Sequence, residues 1–223
     1  MEYLTASLKV LYDRVFNFFN FREVPDFVTN NQNELNEDNI IETQPVLQNS
    51  KEIYDRDDLV SLSNNRIYDK LSTMEQLSWF FTEPTFIIDN IYIGSAHNAA
   101  NKNLLDRLNI KYIVNVTAEI TNYFSNEIEY ANYVIYDDNK QSIFNYLDES
   151  YKKIKEFQRK NNGYILIHCF MGASRSATIL AYYLIKEKGM NVKEAYDFIK
   201  SKRNLVNPTN KFYKELYRMN LNK

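Results

Sequence analysis

The chain has 223 residues, 44% of them hydrophobic, and 27 basic against 29 acidic side chains give a formal charge of −2. That is enough for one domain with an extension or for two small domains, and it gives no general electrostatic reason for nucleic-acid binding. A single cysteine excludes an intramolecular disulfide and a cysteine-rich zinc site, and no run of 18 apolar residues predicts a membrane span.

Residues 1–24 are broken by Lys9, Asp13 and Arg14 and are followed by no small-residue cleavage site. A signal peptide is therefore not expected, and a soluble intracellular protein is. Charge then divides the chain. Residues 1–80 carry 7 basic and 14 acidic groups, whereas residues 81–223 carry 20 and 15. The contrast predicts an extension over residues 1–82 and a separate domain over 83–223. In the extension, Leu4, Leu8, Leu11, Val15 and Phe18 lie on one face of an amphipathic helix that Pro25 ends. That helix packs on the domain, serves a homodimer or a docking partner, or lies on a membrane surface, the last disfavoured because its polar face lacks the lysines and arginines that anionic lipid would attract. Residues 29–49, rich in Asn, Gln and Glu, read as a loosely packed linker. A second helical patch runs from Asp69 to Phe81.

The remainder alternates strands and helices. Residues 86–93 form a hairpin turning at Asp89-Asn90, and residues 101–108 a short helix with Asn109 as a left-handed cap. Residues 112–116 and Tyr133–Tyr136 read as strands. Ile143, Leu147, Tyr151 and Ile154 open a helix that Asn161-Asn162-Gly163 stops. Tyr164–Ile167 is an apolar run of the kind found in a strand covered on both faces. Three helices follow, the first over 175–188 capped by Gly189. The second opens on an Asn191–Glu194 capping pair, and the third starts at Asn207-Pro208 with Phe212, Leu216 and Met219 on one face. The alternation implies an α/β sandwich, a central mostly parallel sheet flanked by helices.

Between the apolar strand and the helix at Arg175 lies Ile167-His168-Cys169-Phe170-Met171-Gly172-Ala173-Ser174-Arg175-Ser176. Such a loop presents successive backbone N–H groups to one point at a helix N-terminus, an anion nest. Gly172 stands where the loop must turn tightly. A curled loop brings Cys169 and Arg175 to one rim, where a guanidinium can grip two phosphate oxygens in a fork. The same positive surroundings favour a thiolate. A thiolate in a phosphate cradle is a nucleophile aimed at phosphorus.

Residues 168–176 resemble the signature of the dual-specificity protein phosphatases, His-Cys-x-x-Gly-x-x-Arg-Ser/Thr, within the cysteine-based tyrosine phosphatase superfamily. The likeness extends over about Pro84 to Met219, through Ile91–Ser95, Ile110–Thr117, Ser174–Leu184 and Pro208–Phe212. It departs at Met171, where alanine is usual, and at Thr209, where asparagine is usual. The resemblance implies a three-layer, tyrosine-phosphatase-like sandwich. It also implies hydrolysis of phosphotyrosine and phosphoserine/threonine in phosphoprotein substrates, with no cofactor or metal.

Carried over residue by residue, the likeness makes Cys169 the nucleophile and Arg175 the phosphoryl clamp. Phe170, Met171, Gly172, Ala173 and Ser174 become the backbone cradle. Ser176 is placed to hydrogen-bond the sulfur, and His168 to brace the loop. The family's general acid precedes its cysteine by about thirty residues, which points to Asp137 or Asp138. Ile143, six residues after Asp137, favours Asp137. Arg203 resembles an arginine on the outer side of the pocket, where it meets either a second phosphate or a helix carbonyl. His97, in a polar turn, reads as a surface residue. Action on phosphoinositides or RNA 5′ ends is the alternative, but Phe170, Met171 and Ala173 are apolar where those enzymes tend to place polar groups. A phosphoprotein-binding pseudophosphatase is a third reading, and such proteins generally lose the cysteine or the arginine.

Overall fold

The computed structural model describes residues 78–137 and 141–221. The expected helix over residues 4–18, the linker and Asp138 lie outside the described residues.

A five-stranded sheet forms the middle layer. Its strands are β1 (Thr85–Ile88), β2 (Ile91–Gly94), β3 (Ile110–Asn115), β4 (Glu129–Asn132) and β5 (Tyr164–His168). The order is β1-β2-β5-β3-β4, antiparallel only between β1 and β2. β5 is central, and Ile165, Leu166 and Ile167 are wholly buried, as a strand covered on both faces requires. Two short helices, α1 (Ala96–Ala100) and α2 (Lys102–Arg107), cover one face around Leu105, Ile113 and Leu166. On the other face α3 (Phe144–Lys160), α4 (Arg175–Lys188), α5 (Val192–Lys202) and α6 (Asn210–Leu221) enclose the larger core around Ile165, Ile167, Leu180 and Phe212. The result is the expected three-layer sandwich.

Local signals account for most element ends. Asn109 and Asn161 take left-handed conformations at φ 50° and 46° after α2 and α3, as asparagine tolerates. Asn191 and Glu194 form a reciprocal capping box at α5. Three expectations shift. The short helix α1 was not anticipated; Ser95 and Asn98 build a capping box for it. The final helix begins at Asn210 rather than at Asn207-Pro208. The Asn207 N–H is taken by the Ala173 carbonyl at 2.9 Å, and Thr209 accepts the first helical bonds, from Phe212 and Tyr213.

The third shift concerns Tyr133–Tyr136, which is not a strand; β4 ends at Asn132. Sequence alternation survives, since Tyr133 and Ile135 are buried while Val134 and Tyr136 are 54% and 56% exposed. Among the described residues, no strand pairs with this stretch beyond Tyr133. β3 runs out at Asn115, whose carbonyl accepts the Tyr133 N–H at 2.8 Å as the last rung.

Candidate active site

The segment from Cys169 to Ser174 joins β5 to α4, and every carbonyl along it has a donor on its outer side. His168 Nδ1 lies 3.4 Å from the Cys169 carbonyl, and the Ala96 N–H donates to Phe170 O at 3.0 Å. Arg203 donates through Nη2 to Met171 O (3.3 Å) and through Nε to Gly172 O (2.9 Å). The Asn207 N–H takes Ala173 O, and the Thr178 N–H and hydroxyl both take Ser174 O. The peptides of this segment are trans, so each outward carbonyl turns the next residue's N–H inward. The amides of residues 170–175 therefore converge on one side, above the buried Cys169. Their dipoles and the α4 N-terminus favour a bound anion.

Gly172 is required twice over. Its φ is +72°, and a Cβ there would meet the Gly94 carbonyl oxygen at 2.4 Å. Met171, an unusual residue for the signature, takes part through its backbone, its carbonyl accepting from Arg203. Thr209, the other departure, offers its N–H to Ser174 Oγ at 3.3 Å.

Ser176 Oγ lies 3.2 Å from Cys169 Sγ, donating toward the sulfur. His168 is fully buried, and burial pushes its pKa down to about 4, so the ring is neutral and Nδ1 carries the proton facing the Cys169 carbonyl. It acts as a brace. Arg175 is buried, yet its pKa stays above the ordinary value: burial opposes the charge, while Cys169, Glu119 and Asp137 outweigh that cost.

Glu119, which the sequence did not single out, is the chief partner of that guanidinium. Its Oε2 accepts from Nη1 at 2.9 Å and its Oε1 from Nη2 at 2.8 Å. The remaining Nη1 hydrogen goes to the Ile135 carbonyl at 2.9 Å. Arg175 Nε is buried without a hydrogen-bond partner. The Nε–H and the second Nη2 hydrogen thus form an unspent fork, the geometry that grips two oxygens of a tetrahedral anion.

Asp137 stands beside Ser174 and Arg175. Its Oδ1 accepts from Ser174 Oγ at 2.9 Å, and its Oδ2 is 3.9 Å from Arg175 Nε. The structure therefore brings Cys169, Arg175, Ser176, His168 and Asp137 to one place.

Two other readings change. Arg203 is buried and spends its nitrogens on the loop carbonyls, Glu83 O and Thr85 Oγ1, so it meets protein carbonyls rather than a second phosphate. His97 is not a free surface residue. It packs against Phe80 and Phe81 at ring distances of 5.9 and 4.7 Å, and burial lowers its pKa. Phe80 in turn contacts Phe170 at 5.4 Å. These aromatic partners sit some sixteen residues earlier in the chain, so a local reading of the turn around His97 missed them.

The model of the dual specificity phosphatase catalytic domain matches residues 91–222. The chain belongs to the dual-specificity phosphatase family. Among curated relatives, it is 38% identical to human Protein phosphatase Slingshot homolog 2 over 133 residues, 60% of this chain and 9% of that protein. It is 32% identical to human Dual specificity protein phosphatase 1 over 133 residues, again 60% of this chain but 36% of that one. The chain thus spans a minor part of the relatives it matches. The crystal structure of human DUSP28 superposes with a TM-score of 0.58 at 22% identity, covering 63% of this chain and 95% of that one, and shares the fold. Among the described residues, no helix is long and apolar enough to cross a membrane.

Proposed function

We propose that the chain hydrolyses phosphotyrosine and phosphoserine/threonine monoesters in phosphoprotein substrates through a phosphocysteine intermediate. The observation that carries this reading is the coincidence of six inward amides and the unspent Nε/Nη2 fork of Arg175 above the Cys169 sulfur.

In the first step the phosphoryl group sits in the cradle with its oxygens on the amides of residues 170–175 and on Arg175. The Cys169 thiolate attacks phosphorus, the P–O ester bond breaks, and Asp137 delivers a proton to the leaving oxygen. In the second step water attacks the phosphocysteine, Asp137 takes its proton, and the thiolate leaves with the Ser176 hydroxyl stabilising the sulfur. Arg175 and the amides meet charge that grows toward the transition state, which is where such donors accelerate the reaction. The apolar side chains at 170, 171 and 173 add no polar group for a second phosphate, in keeping with a protein monoester. A nucleophilic thiol that must stay reduced suits an intracellular compartment.

The experiment is turnover of phosphotyrosine and phosphothreonine peptides by the full chain. Cys169→Ser should abolish turnover while retaining vanadate binding. Asp137→Asn should lose about 100-fold or more, within the range for a general acid, and Asp138→Asn far less. Full activity in Cys169→Ser would overturn the mechanism, and a reversed order of the two asparagine variants would move the acid to Asp138.

A further inference from the structure

We infer that Gln141 is a positioning residue for the general acid, its side-chain amide taking the place of a neighbouring strand, since none adjoins residues 133–136 among the described residues. This rests on reading Asp137 as the acid.

The stretch Tyr133–Tyr136 is extended, with alternate side chains in and out, and so has two hydrogen-bonding backbone edges. The inner edge is occupied. The Tyr133 N–H donates to Asn115 O, and Ile135 O accepts from Arg175. The outer edge presents the Val134 carbonyl and the Tyr136 N–H, which point the same way because the residues are two apart. In a parallel ladder, a single residue of the adjoining strand donates to one such carbonyl and accepts from the N–H two residues on. Gln141 supplies both halves. Its Nε2 donates to Val134 O at 2.8 Å, and its Oε1 accepts from the Tyr136 N–H at 2.7 Å.

Few side chains can do this. A primary amide carries an acceptor and a donor on one planar carbon, the pattern of a peptide group, whereas a carboxylate accepts only and an ammonium donates only. The two partners also fix which end is oxygen and which nitrogen, since the flipped amide would set like against like. Asp137 follows Tyr136 directly. Locking the Tyr136 N–H therefore sets where the Asp137 backbone departs toward Ser174 Oγ. The Gln141 amide meets backbone at both ends. Its action is through the placement of a proton donor, where small displacements cost large factors in rate.

The test compares phenyl phosphate, whose leaving oxygen needs the proton, with difluoro-methylumbelliferyl phosphate, whose leaving group departs without one. With the full chain, Gln141→Ala should lose roughly tenfold more kcat/KM, which reports P–O cleavage alone, on the first ester than on the second. Gln141→Glu, which keeps the acceptor for Tyr136 but loses the donor to Val134, should show the same bias. On an Asp137→Asn background the extra loss should vanish. Equal losses on both esters, or a full further loss on that background, would overturn the role of Gln141 while leaving Asp137 in place. An Asp137→Asn enzyme that does not discriminate between the esters would overturn the assignment of the acid, and the role of Gln141 with it.

Discussion

The two sides of the candidate active site are built by different means. The Cys169–Ser174 loop is held by backbone and buried donors drawn from five places: His168, α1, α4, Arg203 and the connection before α6. The segment bearing Asp137 hangs from a few side chains, Arg175 on its inner edge and Gln141 on its outer edge, with its alternate residues half in solvent. The contrast follows from the chemistry. A cradle for phosphate oxygens must keep its amides aimed whether or not a ligand is present, because reorganisation during the reaction would subtract from catalysis. A proton donor must approach the leaving oxygen and then let the product go, so a lightly tethered segment suffices.

The largest expected effect breaks the rigid side. Arg203→Met would leave the Met171 and Gly172 carbonyls without buried donors, at about 1–3 kcal/mol for each unsatisfied group. We expect a melting temperature several degrees lower and vanadate affinity weakened by about tenfold or more as two amides lose their aim. An unchanged vanadate constant would show that the loop holds itself without this clamp.

A smaller effect sits where the two sides join. Glu119→Gln keeps the shape but removes the charge that faces Arg175 from a half-exposed position. The guanidinium would then be held less squarely, and kcat should fall about tenfold with a smaller change in KM, since orientation counts most in the transition state. A rise in KM alone would mean that Glu119 serves binding rather than orientation.

The smallest effect reads the loop's brace through pH. His168 titrates near 6.5 when unfolded and near 4 when folded, so the unfolded chain binds the extra proton first on acidification. Its contribution is neutral above about pH 6.5. As pH falls from there toward 4, stability should drop by roughly 1 kcal/mol per unit. Melting curves of the native chain and of His168→Gln should diverge in that window, with the variant the flatter. Parallel curves would mean that the imidazole is protonated inside the fold.

Much of this was legible in the linear chain, and the reason is compactness. Residues 168–176 carry the end of a strand, the candidate nucleophile, the one left-handed turn, the arginine and the start of a helix within nine positions, so local rules suffice. The central strand announced itself through Tyr164–Ile167, and the helix caps through Asn109, Asn161 and Asn191. The supports were not legible, because they cross long separations: Glu119 meets Arg175 across 56 residues and Arg203 meets Gly172 across 31. Nothing in the alternation of Tyr133–Tyr136 reveals that no described strand lies alongside, since pairing is a property of the sheet and not of the segment. His97 illustrates the same limit, its surroundings being set by Phe80 and Phe81.

The Ile135 carbonyl accepts from the same guanidinium whose other edge remains open above the sulfur. One planar cation is therefore a keystone shared by both walls of the pocket. Exchanging it for lysine substitutes a single ammonium for a five-donor plane and cannot hold Glu119, the acid segment and an oxyanion together. Deficits measured at Arg175 and at Asp137 will consequently overlap rather than sum, and a double-mutant cycle between them would read the mechanical linkage of the walls as much as any meeting of their charges.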